Sequence, residues 1–293
     1  MSARMLITGA ASGIGAAATD ELRSRGARVV GLDLVGDGPD MIECDVRDQA
    51  SVDSAVSRAV ERPGGLDVLI NNAGIGTPQS AGLRPDAGAH AVIEVNLLGP
   101  WRVTAAAIPA LRESHGRVVN VASGLAHLSV PFAPAYCMSK RGLVAYSDAL
   151  RLDEGGAVSV TTVYPGYIRT PIHAASQEEG VTLEGIVPVE PVEAAARALA
   201  RAALGSPVRD LATTRRGALG YALARRAPHR LLDRLVTMRF DSAARDGRFA
   251  GSSLAEGLAA QAGTRRRRPR LGRVTSTRPS REPGPRSDMI GRS

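Results

Sequence analysis

Between the apolar run Met5–Thr8 and an Ala-rich stretch beginning near residue 14 lies Thr8-Gly9-Ala10-Ala11-Ser12-Gly13-Ile14-Gly15, and no other feature narrows the fold as much. A strand that passes into a helix through three glycines turns tightly without Cβ clashes. It also leaves free N–H groups at a helix N-terminus and lets a ligand's phosphates approach the backbone. The spacing G-x-x-x-G-x-G differs from the G-x-G-x-x-G dinucleotide fingerprint. Taken alone, the same glycines also suit a structural turn.

The rest of the first 165 residues repeats the strand-then-helix rhythm. Strands are predicted at Met5–Thr8, Arg28–Asp33, Met41–Cys44, Asp67–Ile70, Arg117–Val121 and Ser159–Tyr164, with a weaker seventh near Val208–Ala212. They lack polar alternation, as strands covered on both faces do. Helices are predicted near 14–25, 51–61, 88–113, 134–153 and 190–204, with 166–189 a loop and two short amphipathic helices over 215–240 around Pro228. This is the pattern of an α/β fold: a doubly wound, Rossmann-type parallel sheet with helices on both faces. Residues 1–212 are read as that dinucleotide-binding and catalytic domain, 213–263 as a helical extension, and 264–293, rich in Arg, Pro, Ser and Gly, as a disordered tail.

The formal charge of +8 is local. Residues 264–293 hold ten arginines and two acids, which leaves 27 basic and 27 acidic residues elsewhere. A neutral body and a tail without aromatic rings argue against nucleic-acid binding. Met1-Ser2-Ala3-Arg4 leads too quickly into the first strand for a signal peptide, and no apolar run reaches the ~18 residues of a membrane span. Two cysteines, Cys44 and Cys137, make no disulfide framework, so a reducing, cytoplasmic setting is expected.

Asp33 ends the second strand, 20 residues after Gly13. An acid there accepts hydrogen bonds from an adenosine ribose and repels a 2′-phosphate. Neither Ser12 nor Leu34 offers a counter-charge, so NAD is favoured over NADP; the alternative is a solvated turn carboxylate. Tyr136-Cys137-Met138-Ser139-Lys140 follows Pro134 at a helix start. Residues four apart share a helix face, so a phenol and an ammonium stand side by side. A neighbouring cation favours the phenolate and makes Tyr136 a candidate acid/base. Lys140 is the only lysine among 37 basic residues, which marks a place where an ammonium, not a guanidinium, is wanted. Ser123 closes the fifth predicted strand at the sheet's carboxyl edge, where a hydroxyl can hold a substrate oxygen or simply cap the strand end.

With these residues in place, the chain resembles the classical short-chain dehydrogenase/reductase family over residues 4–212, its motifs in family order. The resemblance implies cofactor contacts from Thr8, Gly9, Ser12, Gly13, Ile14 and Gly15, with Asp33 at the ribose. Asp45, followed by Val46, resembles the acid that contacts adenine, and Asn71-Asn72-Ala73-Gly74 matches the element beside the cofactor, contributing Asn72, Ala73 and Gly74. Pro165, Gly166, Ile168 and Thr170 are similar to the segment that follows the sixth strand and reaches the nicotinamide. Asn96 fits the helix-kinking asparagine whose carbonyl holds a relay water, which makes the implied catalytic tetrad Asn96, Ser123, Tyr136 and Lys140. Lys140 would also hold the nicotinamide ribose.

The activity so implied is NAD-dependent interconversion of a secondary alcohol and a ketone by a homodimer or homotetramer. Residues expected around the substrate are apolar or small, namely Leu125, Ala126, Val130, Phe132 and Ile172, so a small hydrophobic alcohol or ketone is the expected substrate. His127 and His173 are candidates for orienting a polar group or for ordinary surface positions. The competing readings are a dinucleotide-binding regulator without turnover and nucleic-acid association through the basic tail.

Overall fold

A computed structural model describes residues 2–36 and 38–256. Residues 257–263 of the expected extension and the whole Arg-rich tail lie outside the described residues. Among the described residues, seven strands form one parallel sheet: β1 (Arg4–Thr8), β2 (Arg28–Asp33), β3 (Met41–Glu43), β4 (Val68–Asn71), β5 (Arg117–Val121), β6 (Ser159–Tyr164) and β7 (Asp210–Ala212). Their order is β3-β2-β1-β4-β5-β6-β7. The order reverses between β1 and β4, and open α/β sheets leave a ligand crevice beyond the strand C-termini at such a reversal.

Side-chain alternation assigns each strand residue to a face. In β1, Met5 and Ile7 join Ala18, Leu22 and Leu199 in one apolar cluster, while Leu6 joins Val52, Val103 and Leu111 in the other. In β4, Val68 and Ile70 take the first side and Leu69 the second. The first side is covered by α1 (Gly13–Ser24) and α7 (Val192–Leu204), the second by α2 (Gln49–Glu61), α4 (Gly99–Glu113) and α5 (Pro134–Glu154). Both faces are therefore dry, and each such buried side chain contributes about 1.5–3 kcal/mol. Asp48 caps α2 by accepting from Ala50 N–H, and Asp86 caps α3 (Ala87–Ile93) by accepting from Ala89 N–H.

Two expectations need correction. The stretch 88–113 is not one α-helix: a π-helical turn, Glu94–Leu98, separates α3 from α4 and carries Asn96 into the interior. The segment 166–189 is not all loop, since it holds the 3-10 turn Pro171–His173 and the short α6 (Ala174–Glu178). Around Pro228 the expected pair of helices is present as α8 (Arg215–Arg226) and α9 (His229–Arg245). A third apolar cluster joins Phe240, Ala243, Phe249 and Ala255 to Val130, Cys137 and Val181 of the body.

Candidate active site

Beyond the C-terminal ends of the strands lies a cavity of about 1100 Å³. One end is polar: Asp33 at the end of β2, and Asp45 and Arg47 just after β3, line it beside Leu32, Leu34 and Val46. The Asp33 carboxylate accepts from Ala11 N–H at 2.9 Å and from Leu34 N–H at 2.8 Å, so it also braces the glycine loop. Asp45 binds the Arg47 guanidinium at 2.7–3.0 Å, which holds its carboxyl below the usual carboxylate range.

The glycine loop forms the next stretch of wall, with Gly9, Ser12, Gly13 and Ile14 on the cavity. Gly9 has φ +68°, and a Cβ there would stand 2.8 Å from the Ala73 Cα. A Cβ on Gly15 would stand 1.9 Å from the Gly9 carbonyl oxygen, so that position packs the loop and stays off the cavity. Thr8 is likewise buried behind the wall. Its hydroxyl accepts from Asn72 N–H and Ala73 N–H at 3.0 Å each, while the Asn72 amide donates to the Thr8 and Gly9 carbonyls. The cavity-lining Asn72, Ala73 and Gly74 are thus stitched to the loop.

At the centre Ser123, Tyr136 and Lys140 converge on the same cavity. Ser123 leaves the end of β5 and its hydroxyl accepts from Leu125 N–H at 3.2 Å. Tyr136 and Lys140 stand one turn apart on α5, with the Lys140 Nζ 5.7 Å from the Tyr136 ring centre. Nζ donates to the Val121 carbonyl at 2.9 Å, and burial pulls the Lys140 ammonium down to about 8. Burial also pushes the Tyr136 phenol up to about 12, the hydrogen bond from Ser123 acting the other way. Loss of water therefore opposes the phenolate that a neighbouring ammonium was expected to favour.

Asn96 does not line the cavity. It is fully buried in the π-helical turn, where its side chain accepts from Ile75 N–H at 2.8 Å and donates to the Ile75 carbonyl at 2.9 Å and Ser139 Oγ at 3.2 Å. It is nonetheless near the centre, because the point a Gly74 Cβ would occupy lies 3.3 Å from Asn96 Oδ1 and 3.6 Å from Lys140 Nζ. Pro165, Gly166, Ile168 and Thr170 line the side that follows β6.

A model of the short-chain dehydrogenase family matches residues 3–180. The chain belongs to the short-chain dehydrogenase family. Members of that family are oxidoreductases that bind nicotinamide dinucleotides. The chain is 35% identical to a putative ketoacyl reductase of Streptomyces coelicolor, over 59% of this chain and 73% of that one. It is 34% identical to mouse retinol dehydrogenase 16, over 59% of each. A short-chain dehydrogenase from Burkholderia cenocepacia, solved in complex with NADP, superposes with a TM-score of 0.67 at 27% identity, over 79% of this chain and 96% of that one.

In this short-chain dehydrogenase the residues present fit a dinucleotide. One cavity joins the Asp33 carboxylate to the Lys140 ammonium, and its wall is bare backbone at Gly9, Gly13, Gly74 and Gly166. Among the substrate-side residues expected from sequence, Leu125 and Ile172 line the cavity, but Ala126, Val130 and Phe132 do not. Val130 and Phe132 face the third cluster instead. Phe132 is held at φ +64° with its ring 5.5 Å from that of Phe249 and 6.3 Å from that of Phe240. Ala126 packs with Ala122 and Tyr164. His173 lines the cavity, stacked on Tyr167 at 4.4 Å, whereas His127 is wedged between Tyr164 and Tyr221.

Sequence reasoning missed Arg47, Glu190, Arg216 and Tyr221, all of which line the cavity. Glu190 ties its far wall together, accepting from Gly166 N–H at 3.0 Å, from Thr214 Oγ1 at 2.6 Å and from Thr213 Oγ1. Thr214 in turn caps α8, and α8 brings Tyr221 against Gly124. No pattern around Glu190 announces it; Tyr221, as the one aromatic residue in an Ala/Arg helix, was the available signal.

Proposed function

We propose that this short-chain dehydrogenase interconverts an apolar secondary alcohol and the corresponding ketone, with NAD as its cofactor. The observation that carries the reading is the convergence of Ser123, Tyr136 and Lys140 on one cavity whose other end is walled by Asp33. When bound, the nicotinamide ring supplies the acceptor or donor of the hydride. In oxidation the Ser123 hydroxyl holds the substrate hydroxyl, and Tyr136 takes its proton as the phenolate, its own proton having left by way of Lys140. In reduction the neutral phenol, which burial favours, gives that proton to the carbonyl oxygen. Lys140, with its proton loosely held by burial, binds the ribose and passes the proton on toward a water at Asn96.

NAD is proposed on the Asp33 carboxylate, which sits on the cavity where a 2′-phosphate would meet like charge. Arg47 is the cation sequence reading overlooked at this end, and its guanidinium is already engaged by Asp45. An apolar substrate is supported by Leu125, Ile172, Leu183 and Val187 along the far wall, and by the likeness to an enzyme named for retinol. The expected assembly is a homodimer or homotetramer through α4 and α5, in the cytoplasm, where the two buried, unpaired cysteines are stable.

The test is kcat/KM for NAD and NADP over a panel of aliphatic and cyclic secondary alcohols and ketones. NAD is expected to win, and Asp33→Ser should narrow the gap by about tenfold, the weight of one charge–charge contact of ~1.4 kcal/mol. A preference for NADP in the unaltered protein would remove the cofactor proposal. Dinucleotide binding without turnover of any substrate would favour the regulator.

A further inference from the structure

Helices α8 and α9 turn one face inward and leave another bare. On α9, Val236, Phe240 and Ala243 form the inner stripe and join the third apolar cluster. Leu231, Leu235 and Met238 repeat the same spacing on the outside, at 50%, 49% and 58% exposure. On α8, Gly217, Tyr221 and Ala224 line the cavity, while Leu219 and Leu223 stand 65% and 62% exposed. Single exposed leucines are ordinary on a protein surface, but five large apolar side chains on two consecutive helices are not.

Charge is segregated onto the same helices. Residues 215–245 hold eight arginines and two acids, whereas the rest of residues 1–263 holds 19 basic and 25 acidic residues. Among the described residues, Arg215, Arg216, Arg226, Arg230, Arg234 and Arg245 are exposed and form no ion pair with a neighbouring carboxylate. Apolar side chains interleaved with arginines on short amphipathic helices are the composition of helices that lie in a bilayer interface. Facing a second copy of itself, this surface would set like charges against one another; facing anionic headgroups, it is complementary.

We propose that the α8–α9 face docks on the surface of an anionic lipid bilayer, its leucines entering the headgroup–acyl boundary and its arginines meeting the headgroups. This goes beyond the dehydrogenase reading and stands independently of it. The binding is peripheral, since no helix among the described residues is long and apolar enough to cross a membrane.

Sedimentation of the full-length chain with vesicles tests it. Wild type is expected to pellet with phosphatidylglycerol/phosphatidylcholine vesicles and to bind pure phosphatidylcholine at least about tenfold more weakly. Replacing Leu219, Leu223, Leu231, Leu235 and Met238 together by Gln, with the Arg-rich tail left in place, should weaken binding by about tenfold or more at unchanged circular dichroism and unchanged mass by light scattering. A second variant, Arg226→Gln, Arg230→Gln and Arg234→Gln, alters no apolar group and should lose binding to the anionic vesicles at an unchanged melting temperature. Undiminished binding by both variants would assign the effect to the tail and overturn the proposal. So would equal binding to both vesicle types, no binding by wild type, or conversion of an oligomer to monomers by the glutamine variant, which would make the face a contact between copies.

Discussion

Lys140 stands where a guanidinium does not serve. The chain uses arginine at 36 of its 37 basic positions, yet places its one lysine under the sheet edge with Nζ on the Val121 carbonyl. Arginine would keep the charge but would present a planar fork where a compact ammonium fits, and it does not shed a proton at working pH. Lys140→Arg is therefore expected to lose about two orders of magnitude in kcat with its circular dichroism intact. The pH profile of kcat/KM adds an independent readout. With burial holding Lys140 at about 8, wild type should show an inflection near that pH which the Arg variant lacks. Near-normal turnover by the variant would make Lys140 a bystander.

At the scale of elements, the π-helical turn between α3 and α4 exists around one side chain. Asn96 satisfies both the N–H and the carbonyl of Ile75, so Asn96→Ala removes two hydrogen bonds worth about 1 kcal/mol each. Denaturant unfolding should show a loss of at least about 2 kcal/mol, together with a fall in kcat because Gly74 and Lys140 border the same spot. An unchanged midpoint would mean that the turn holds without the asparagine. Helix α9 is fastened differently, through the stacked rings of Phe240 and Phe249 at 6.0 Å and the edge of Phe132. Phe240→Ala should cost about 3 kcal/mol, as truncation of a buried aromatic does, and calorimetry would read it as a lowered melting temperature. A cost below about 1 kcal/mol would show α9 to be loosely attached.

For the molecule as a whole, the described body closes on itself through residue 256, with Phe249 and Ala255 in the third cluster. The Arg-rich tail begins after that and has few apolar groups to bury, so ordering it against the body would cost entropy with little return. A chain ending at Ala262 is expected to keep its melting temperature within about 2 °C and its kcat unchanged. A marked loss of either would mean that the tail packs on the body or across a subunit contact. A chain ending before Phe249 should, by contrast, be destabilised.

The sheet, the glycine loop and the Tyr136–Lys140 pair were legible because each is written in local spacing. Continuous apolar runs make buried strands, glycines allow backbone to approach backbone, and residues four apart share a helix face. The asparagine at position 96 was recognisable only through resemblance, and the π-helical turn that buries it broke the single helix expected there. On the far wall of the cavity Leu125 and Ile172 were legible, but the Glu190 and Tyr221 contacts that hold it together were not. Glu190 reaches Gly166 and Thr214, each 24 positions away, and Tyr221 meets Gly124 from 97 positions on, so no periodicity connects them. Phe132 and Val130 have the composition of a substrate wall, but α9 offered them a drier partner and they turned to it. The state of Tyr136 likewise belongs to the tertiary structure. Sequence sets the phenol beside the ammonium, but the folded surroundings remove the water that would stabilise its charge.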